Sequence, residues 1–272
     1  MNSSGQTRTD FDLFMQSMWA DYIALNPQAE KIHRLFQQNG EQVQNDHIAL
    51  RTFNHPKLGI DSLAQHFLKF GYRQAEQEYF FKEKKLYARH YEHSENFPKI
   101  FISELELEKV SPFVRETINN CIEQIPLTAI QAAEFVFSGK HWVTSYQTYL
   151  KLAAESEYAS WVYAYGFRPN HFTVSINGLR SFSDIYQLNS FLKMHQFKLN
   201  ASGGEVKGTP LELLEQSSTM AAEIPVQFGD GVYSIPGCYY EFAKRYAGID
   251  GRLYQGFIAQ SADKIFESTN RS

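Results

Sequence analysis

Asp46-His47-Ile48-Ala49-Leu50-Arg51-Thr52-Phe53 and Asn170-His171-Phe172-Thr173-Val174-Ser175-Ile176-Asn177 are two renderings of one pattern, about half a chain apart. In each, a histidine follows Asp or Asn and opens a run that alternates with period two, which predicts a strand. His47, Ala49, Arg51 and Phe53 share one face, with Ile48 and Leu50 on the other. His171, Thr173, Ser175 and Asn177 share a face, opposed by Phe172, Val174 and Ile176. Each strand thus offers a polar face to a cavity and an apolar face to covering helices. A third run, Cys238-Tyr239-Tyr240-Glu241-Phe242-Ala243, aligns Tyr239, Glu241 and Ala243 in the same way.

Working outward, the first strand opens a module. A turn containing Pro56 leads to a helix with Leu63, Phe67, Leu68 and Phe70, which Asp61 is expected to cap and Gly71 to end. A hairpin (78–81 with 86–91) and a strand over 99–106 complete the order βαβββ. After His171 the same order returns: a helix over 183–195, then strands over 213–220, 224–228 and 233–244. The glycines 203, 204 and 208 lack the spacing of a phosphate loop and read as a turn or rim. Residues 1–9 read as a disordered tail, followed by helices between Asp10 and Gln38. The expected fold is α+β: two βαβββ modules joined into an incomplete barrel, resembling the vicinal-oxygen-chelate fold, with N-terminal helices and a helical insertion. One domain over 10–270 is expected, divided into a first module (46–108), the insertion (109–166), a second module (167–250) and a C-terminal segment (251–270).

Composition narrows the function. The 272 residues carry a net charge of −4 with no basic stripe, which argues against a nucleic-acid partner. No apolar run approaches the ~20 residues of a membrane span, and the N-terminus lacks a signal-peptide pattern. Two cysteines, Cys121 and Cys238, are too few and too far apart for a disulfide framework or zinc ribbon. A soluble protein of a reducing cytoplasm is expected.

Two histidines and a carboxylate on converging strands form the ligand set of a non-haem iron(II) site with open positions. The predicted ligands are His47, His171 and Glu241. Arg51, roughly 13 Å along the strand from His47 at ~3.3 Å per residue, could lean inward to grip a substrate carboxylate. Duller readings stand beside these. A histidine at a strand start is ordinarily structural, Arg51 could make an internal salt bridge, and Glu241 could pair with Lys244 or Arg245. Glu104 and Glu106 lie on the strand expected to mirror that of Glu241, as a fourth ligand, a support for a ligand, or exposed acids. His90 and His93 fall on opposite faces, and His55, His66, His141 and His195 read as structural or solvated.

Asp46-His47 with Arg51, Asn170-His171, the stretch 213–221 and Tyr240-Glu241-Phe242 resemble the 2-oxoadipate dioxygenase/decarboxylase family from about Asp10 onward. That resemblance implies that His47, His171 and Glu241 hold Fe(II) and that Arg51 binds a 2-oxo acid. It also implies that Ser261, in a family-like stretch over 260–266, touches substrate. The implied partners are a small 2-oxo acid and O2, with 2-oxoadipate giving 2-hydroxyglutarate and CO2 in lysine catabolism. The alternatives are a metal-dependent isomerase or hydrolase on the same fold, and a non-enzymatic protein that binds a small acid.

Overall fold

The computed structural model describes residues 3–269, with side chains from Arg8 onward. Two helices lead, α1 (Ser3–Leu25) and α2 (Pro27–Gln38). The stretch read as a tail is helical from Ser3, and Met1 and Asn2 lie outside the described residues. Phe11, Phe14, Met18 and Tyr22 recur at helical spacing on α1 and are buried, which ties that helix to the body.

The first module runs β1 (Asn45–Phe53), α3 (Ile60–Leu68), β2 (Arg73–Phe81), β3 (Leu86–Glu92) and β4 (Lys99–Leu105). The helical insertion holds α4 (Pro112–Glu123), α5 (Leu127–Gln131), α6 (Tyr146–Glu155) and α7 (Glu157–Tyr165). Ser111, Ser145 and Ser156 cap α4, α6 and α7, their hydroxyl oxygens accepting from the backbone N–H three residues on. The second module runs β5 (Pro169–Ser175), α8 (Ile185–Met194), β6 (Lys207–Thr209), β7 (Leu214–Ser218), β8 (Glu223–Phe228), β9 (Gly231–Pro236) and β10 (Tyr239–Arg245). A short helix, α9 (Ala259–Ile265), and a 3-10 turn, Phe266–Thr269, follow.

Eight strands form one sheet in the order β2-β3-β4-β1-β5-β10-β7-β6. Its halves mirror each other. β1 pairs parallel with β4, β5 pairs parallel with β10, and an antiparallel seam between β1 and β5 joins the two. The outer face, carrying Ile48, Leu50, Phe172, Val174, Tyr240 and Phe242, is buried under helices that include α1, α2, α3 and α8. On the inner side α9 packs against both edge strands, β2 and β6, and so closes the gap in the half-barrel.

Four expectations need correction. The strand expected over 233–244 is two strands: Gly237 and Cys238 interrupt it after Pro236, where the Pro236 and Gly237 carbonyls accept from Tyr165 Oη and Trp161 Nε1. As a result β8 and β9 form a separate two-stranded sheet, and the module's second strand is β6, from text read as rim. There Gly208 has φ +78°, and a Cβ would sit 2.2 Å from the Leu214 carbonyl oxygen, so only glycine lets β6 approach β7. Asp61 does not cap α3; it accepts from Arg89. The cap is Glu104, whose Oε2 accepts from the Ile60 N–H at 2.9 Å. Glu104 therefore points to the helix side, and the residue mirroring Glu241 is Phe101: His47 pairs with Lys99 as His171 pairs with Tyr239, and two residues on stand Phe101 and Glu241. Glu106 pairs with Lys109 outside the barrel.

Loss of that cap is a clean test of the assignment. Glu104→Ala is expected to lower unfolding free energy by about 1 kcal/mol in urea titrations, with metal content unchanged; loss of metal would return Glu104 to the centre.

Candidate metal centre

Strand register builds the centre from two adjacent rows on the inner face. In one row His47, Thr173 and Glu241 lie side by side across β1, β5 and β10. In the next, Ala49, His171 and Tyr239 do the same. Thr173 is small, so His47 and Glu241 reach over it toward each other, and His171 joins from the neighbouring row. His47 Nε2 lies 3.5 Å from Glu241 Oε1, and His171 Nε2 lies 3.2 Å from Glu241 Oε2. One ligand atom from each of the three falls within 4.8 Å of the others, and all three side chains are buried.

Both rings are turned by the residue before them. Asp46 Oδ1 lies 2.8 Å from His47 Nδ1, and Asn170 Oδ1 lies 3.2 Å from His171 Nδ1. With Nδ1 engaged, each Nε2 faces the centre, that of His47 also lying 3.0 Å from Thr173 Oγ1; an engaged Nδ1 is the usual support for a metal-binding imidazole. Asp46 is itself gripped in two places by Arg245, Nε to Oδ2 at 2.6 Å and Nη2 to Oδ1 at 2.9 Å. Burial alone would raise its pKa, but the guanidinium overrides this and holds Asp46 far below the usual carboxylate range. Arg245 is thus the partner of Asp46 and not of Glu241.

The charge balance fits a cation. Burial pushes the Glu241 carboxyl above its ordinary value, and burial, with His47 and Arg51 nearby, pushes the His171 imidazole well below its own. A buried acid between two imidazoles is a costly arrangement by itself, and a divalent ion among them would remove the cost. Gln216 Nε2 donates to Glu241 Oε1 at 2.6 Å and fixes the carboxylate's orientation. Two histidines and one carboxylate match the donor set of a ferrous facial site, and equally suit zinc or nickel.

Arg51 lies on the same face of β1, fully buried, its guanidinium carbon 4.9 Å from the Tyr158 ring and 5.1 Å from Trp161. It does make an internal salt bridge, Nη1 to Glu157 Oε1 at 3.0 Å, while Nε and Nη2 have no partner among the described residues. Ser261 is buried in α9 with its Oγ beside Gly208, and the structure does not bring it to the cavity wall. His90 bonds to Tyr79 and Glu92, away from the three ligands. The cavity at the centre holds about 20 Å³ and is walled by Phe101, Gln216, Phe257, Ala262, Ile265 and Phe266 besides the ligands.

A family model described as 2-oxoadipate dioxygenase/decarboxylase matches residues 14–252. The chain belongs to the 2-oxoadipate dioxygenase/decarboxylase family. The chloroplastic family member of Arabidopsis thaliana is 35% identical over 278 residues, 91% of this chain and 74% of that protein. The crystal structure of the hydroxyglutarate synthase of Oryza sativa in complex with 2-oxoadipate superposes with a TM-score of 0.91 at 34% identity, over 97% of this chain and 93% of that one. A Shewanella frigidimarina protein provisionally named a hydrolase shares 50% identity, with a TM-score of 0.87 over 91% of this chain and 97% of that one.

The sequence singled out the three residues that the structure brings together and missed the ones around them: Asp46, Asn170, Arg245, Thr173 and Gln216. The repeated Asp or Asn before each histidine was the available signal. Asn170→Ala is expected to weaken metal binding about 10–100-fold in chelator competition with the fold intact. Asp46→Ala should do the same and also destabilise the protein by about 3–5 kcal/mol, because it strands Arg245 in the interior. Equal stability losses in the two variants would contradict the supporting role given to Arg245.

Proposed function

We propose that this chain is an Fe(II)-dependent 2-oxo acid dioxygenase/decarboxylase whose substrate is 2-oxoadipate, giving 2-hydroxyglutarate and CO2 with O2 as co-substrate. The observation that carries the reading is the conjunction of His47, His171 and Glu241 with a buried Arg51 on the same strand face, two of its nitrogens unpartnered. Family membership supports the reaction class, and the rice enzyme's complex with 2-oxoadipate supports the substrate. With that substrate the protein serves in lysine catabolism. Both cysteines are buried and free, in keeping with the expected reducing cytoplasm.

Held by His47, His171 and Glu241, iron(II) supplies the chemistry with dioxygen that side chains lack and a Lewis-acidic seat for a 2-oxo acid. The protein's part is to bind, orient and exclude water. Asp46 and Asn170 keep the imidazoles aimed inward, and Gln216 keeps Glu241 from turning. Arg51 takes the carboxylate at the far end of the diacid by its planar fork, which fixes the chain's reach into the cavity. Phe257, Ile265 and Phe266 form an apolar wall that keeps bulk water out. That cavity has room for about one water molecule, so α9 and the turn after it open to admit the acid and reseat over it. We assign Ser261, in α9, a contact with the substrate.

The test is anaerobic loading with iron(II), then oxygen-electrode screening of 2-oxo acids of four to seven carbons, with CO2 and 2-hydroxyglutarate quantified. Oxygen uptake should be largest with 2-oxoadipate. Zinc or nickel in the purified protein and no oxygen uptake would favour the isomerase or hydrolase alternative. His47→Ala and His171→Ala should lose iron; Arg51→Ala should keep iron and lose 2-oxoadipate turnover. An Arg51→Ala enzyme with wild-type turnover would remove its assigned role.

A further inference from the structure

Several polar atoms near the centre are buried without a partner: Arg51 Nε and Nη2, the Tyr239 hydroxyl, and Gln216 Oε1. Buried polar atoms of this kind cost free energy when unmatched, so each calls for an explanation. Tyr239 is fully buried and stacks on the ligand His171, ring centroids 4.6 Å apart at 26°. Tyr239 and Arg51 lie within each other's electrostatic reach. Between Arg51 and Tyr239 the inner face carries Ala49 and His171, and Ala49 is small. Nε and Nη2 form one edge of the guanidinium fork, the edge that takes a carboxylate in a two-point grip. Nη1 is already committed to Glu157, whose Oε1 also accepts from Thr269 Oγ1 in the last described turn.

We propose that the Nε–Nη2 edge of Arg51 and the phenol of Tyr239 form one receptor for the distal carboxylate of the substrate, with Glu157 as the brace that orients the guanidinium. One carboxylate would then satisfy three buried donors at once, two N–H groups from the arginine edge and one O–H from the tyrosine. Tyr239 is a binding residue; Glu157 is a positioning residue that acts through Arg51. Because Thr269 holds Glu157 from the C-terminal turn, the brace is complete only when that turn is seated, and Phe266 of the same turn lies 5.9 Å from the guanidinium carbon. The proposal deepens the reading of Arg51 as carboxylate anchor and rests on it.

The test measures anaerobic binding of 2-oxoadipate and of 2-oxohexanoate, which lacks the distal carboxylate, to the iron-loaded protein by calorimetry. Tyr239→Phe is expected to weaken 2-oxoadipate about tenfold and to shrink the preference for the diacid over the monoacid by the same factor. Unchanged diacid binding, or equal loss of both acids, would overturn the role of Tyr239. Without ligand, Tyr239→Phe should be as stable as wild type or more so, since it deletes an unmatched hydroxyl; a clear loss of stability would mean that the hydroxyl has a protein partner and would also overturn it. Glu157→Ala should weaken the diacid and Glu157→Gln, which keeps an acceptor, should recover most of the loss. Tighter binding in Glu157→Ala would show competition for Arg51 instead of bracing. If the wild-type protein binds no 2-oxoadipate, the proposed function falls with this inference. If it binds and Arg51→Ala loses binding while Tyr239→Phe does not, only the inference falls.

Discussion

The antiparallel seam between β1 and β5 is the constraint on which the centre depends. It sets His47 beside Thr173 and Ala49 beside His171, so two histidines from distant parts of the chain meet one step out of line. The parallel pairing of β5 with β10 then places Glu241 beyond Thr173 and Tyr239 beyond His171. Because strand side chains alternate, a slip of one residue at either pairing would turn the ligands to the helix side and the apolar residues into the cavity. The buried pair of Asp46 and Arg245 reinforces the arrangement, tying the start of β1 to the end of β10.

Charge follows the same geometry. Asp46 is balanced by Arg245, and Arg51 is balanced by Glu157. Glu241 faces two imidazoles and an amide, with no lysine or arginine in contact among the described residues. Burial without a fixed counter-charge is costly for a carboxylate, and a divalent ion between the two imidazoles would relieve it. In the proposed reading a dicarboxylate would extend the pattern, with one end at the metal seat and the other at the unmatched edge of Arg51.

Much of this was legible in the residues because period-two alternation is a local signal. Each of the three ligands could be assigned to the inner face from its neighbours alone, and the βαβββ order could be read twice. What escaped reading depended on contacts distant in sequence. Nothing near Asp61 reveals that Glu104 takes over its capping role from a strand away, and nothing near Glu104 reveals that Phe101 occupies the mirror of Glu241. The three-residue β6 is too short for periodicity to show, and its glycine looked like a loop signal although it permits close strand pairing. The break after Pro236 was visible as chemistry but is held by Trp161 and Tyr165 of the insertion. The Arg51 role was open for the same reason: Glu157 lies 106 positions along the chain.

Anomalous diffraction at the iron absorption edge, from crystals of the iron-loaded protein grown without oxygen, addresses the central claim most directly. The account predicts a single strong peak enclosed by His47 Nε2, His171 Nε2 and a carboxylate oxygen of Glu241, with the remaining positions turned toward Arg51. A peak elsewhere in the molecule, or none at these three side chains in fully loaded protein, would contradict it.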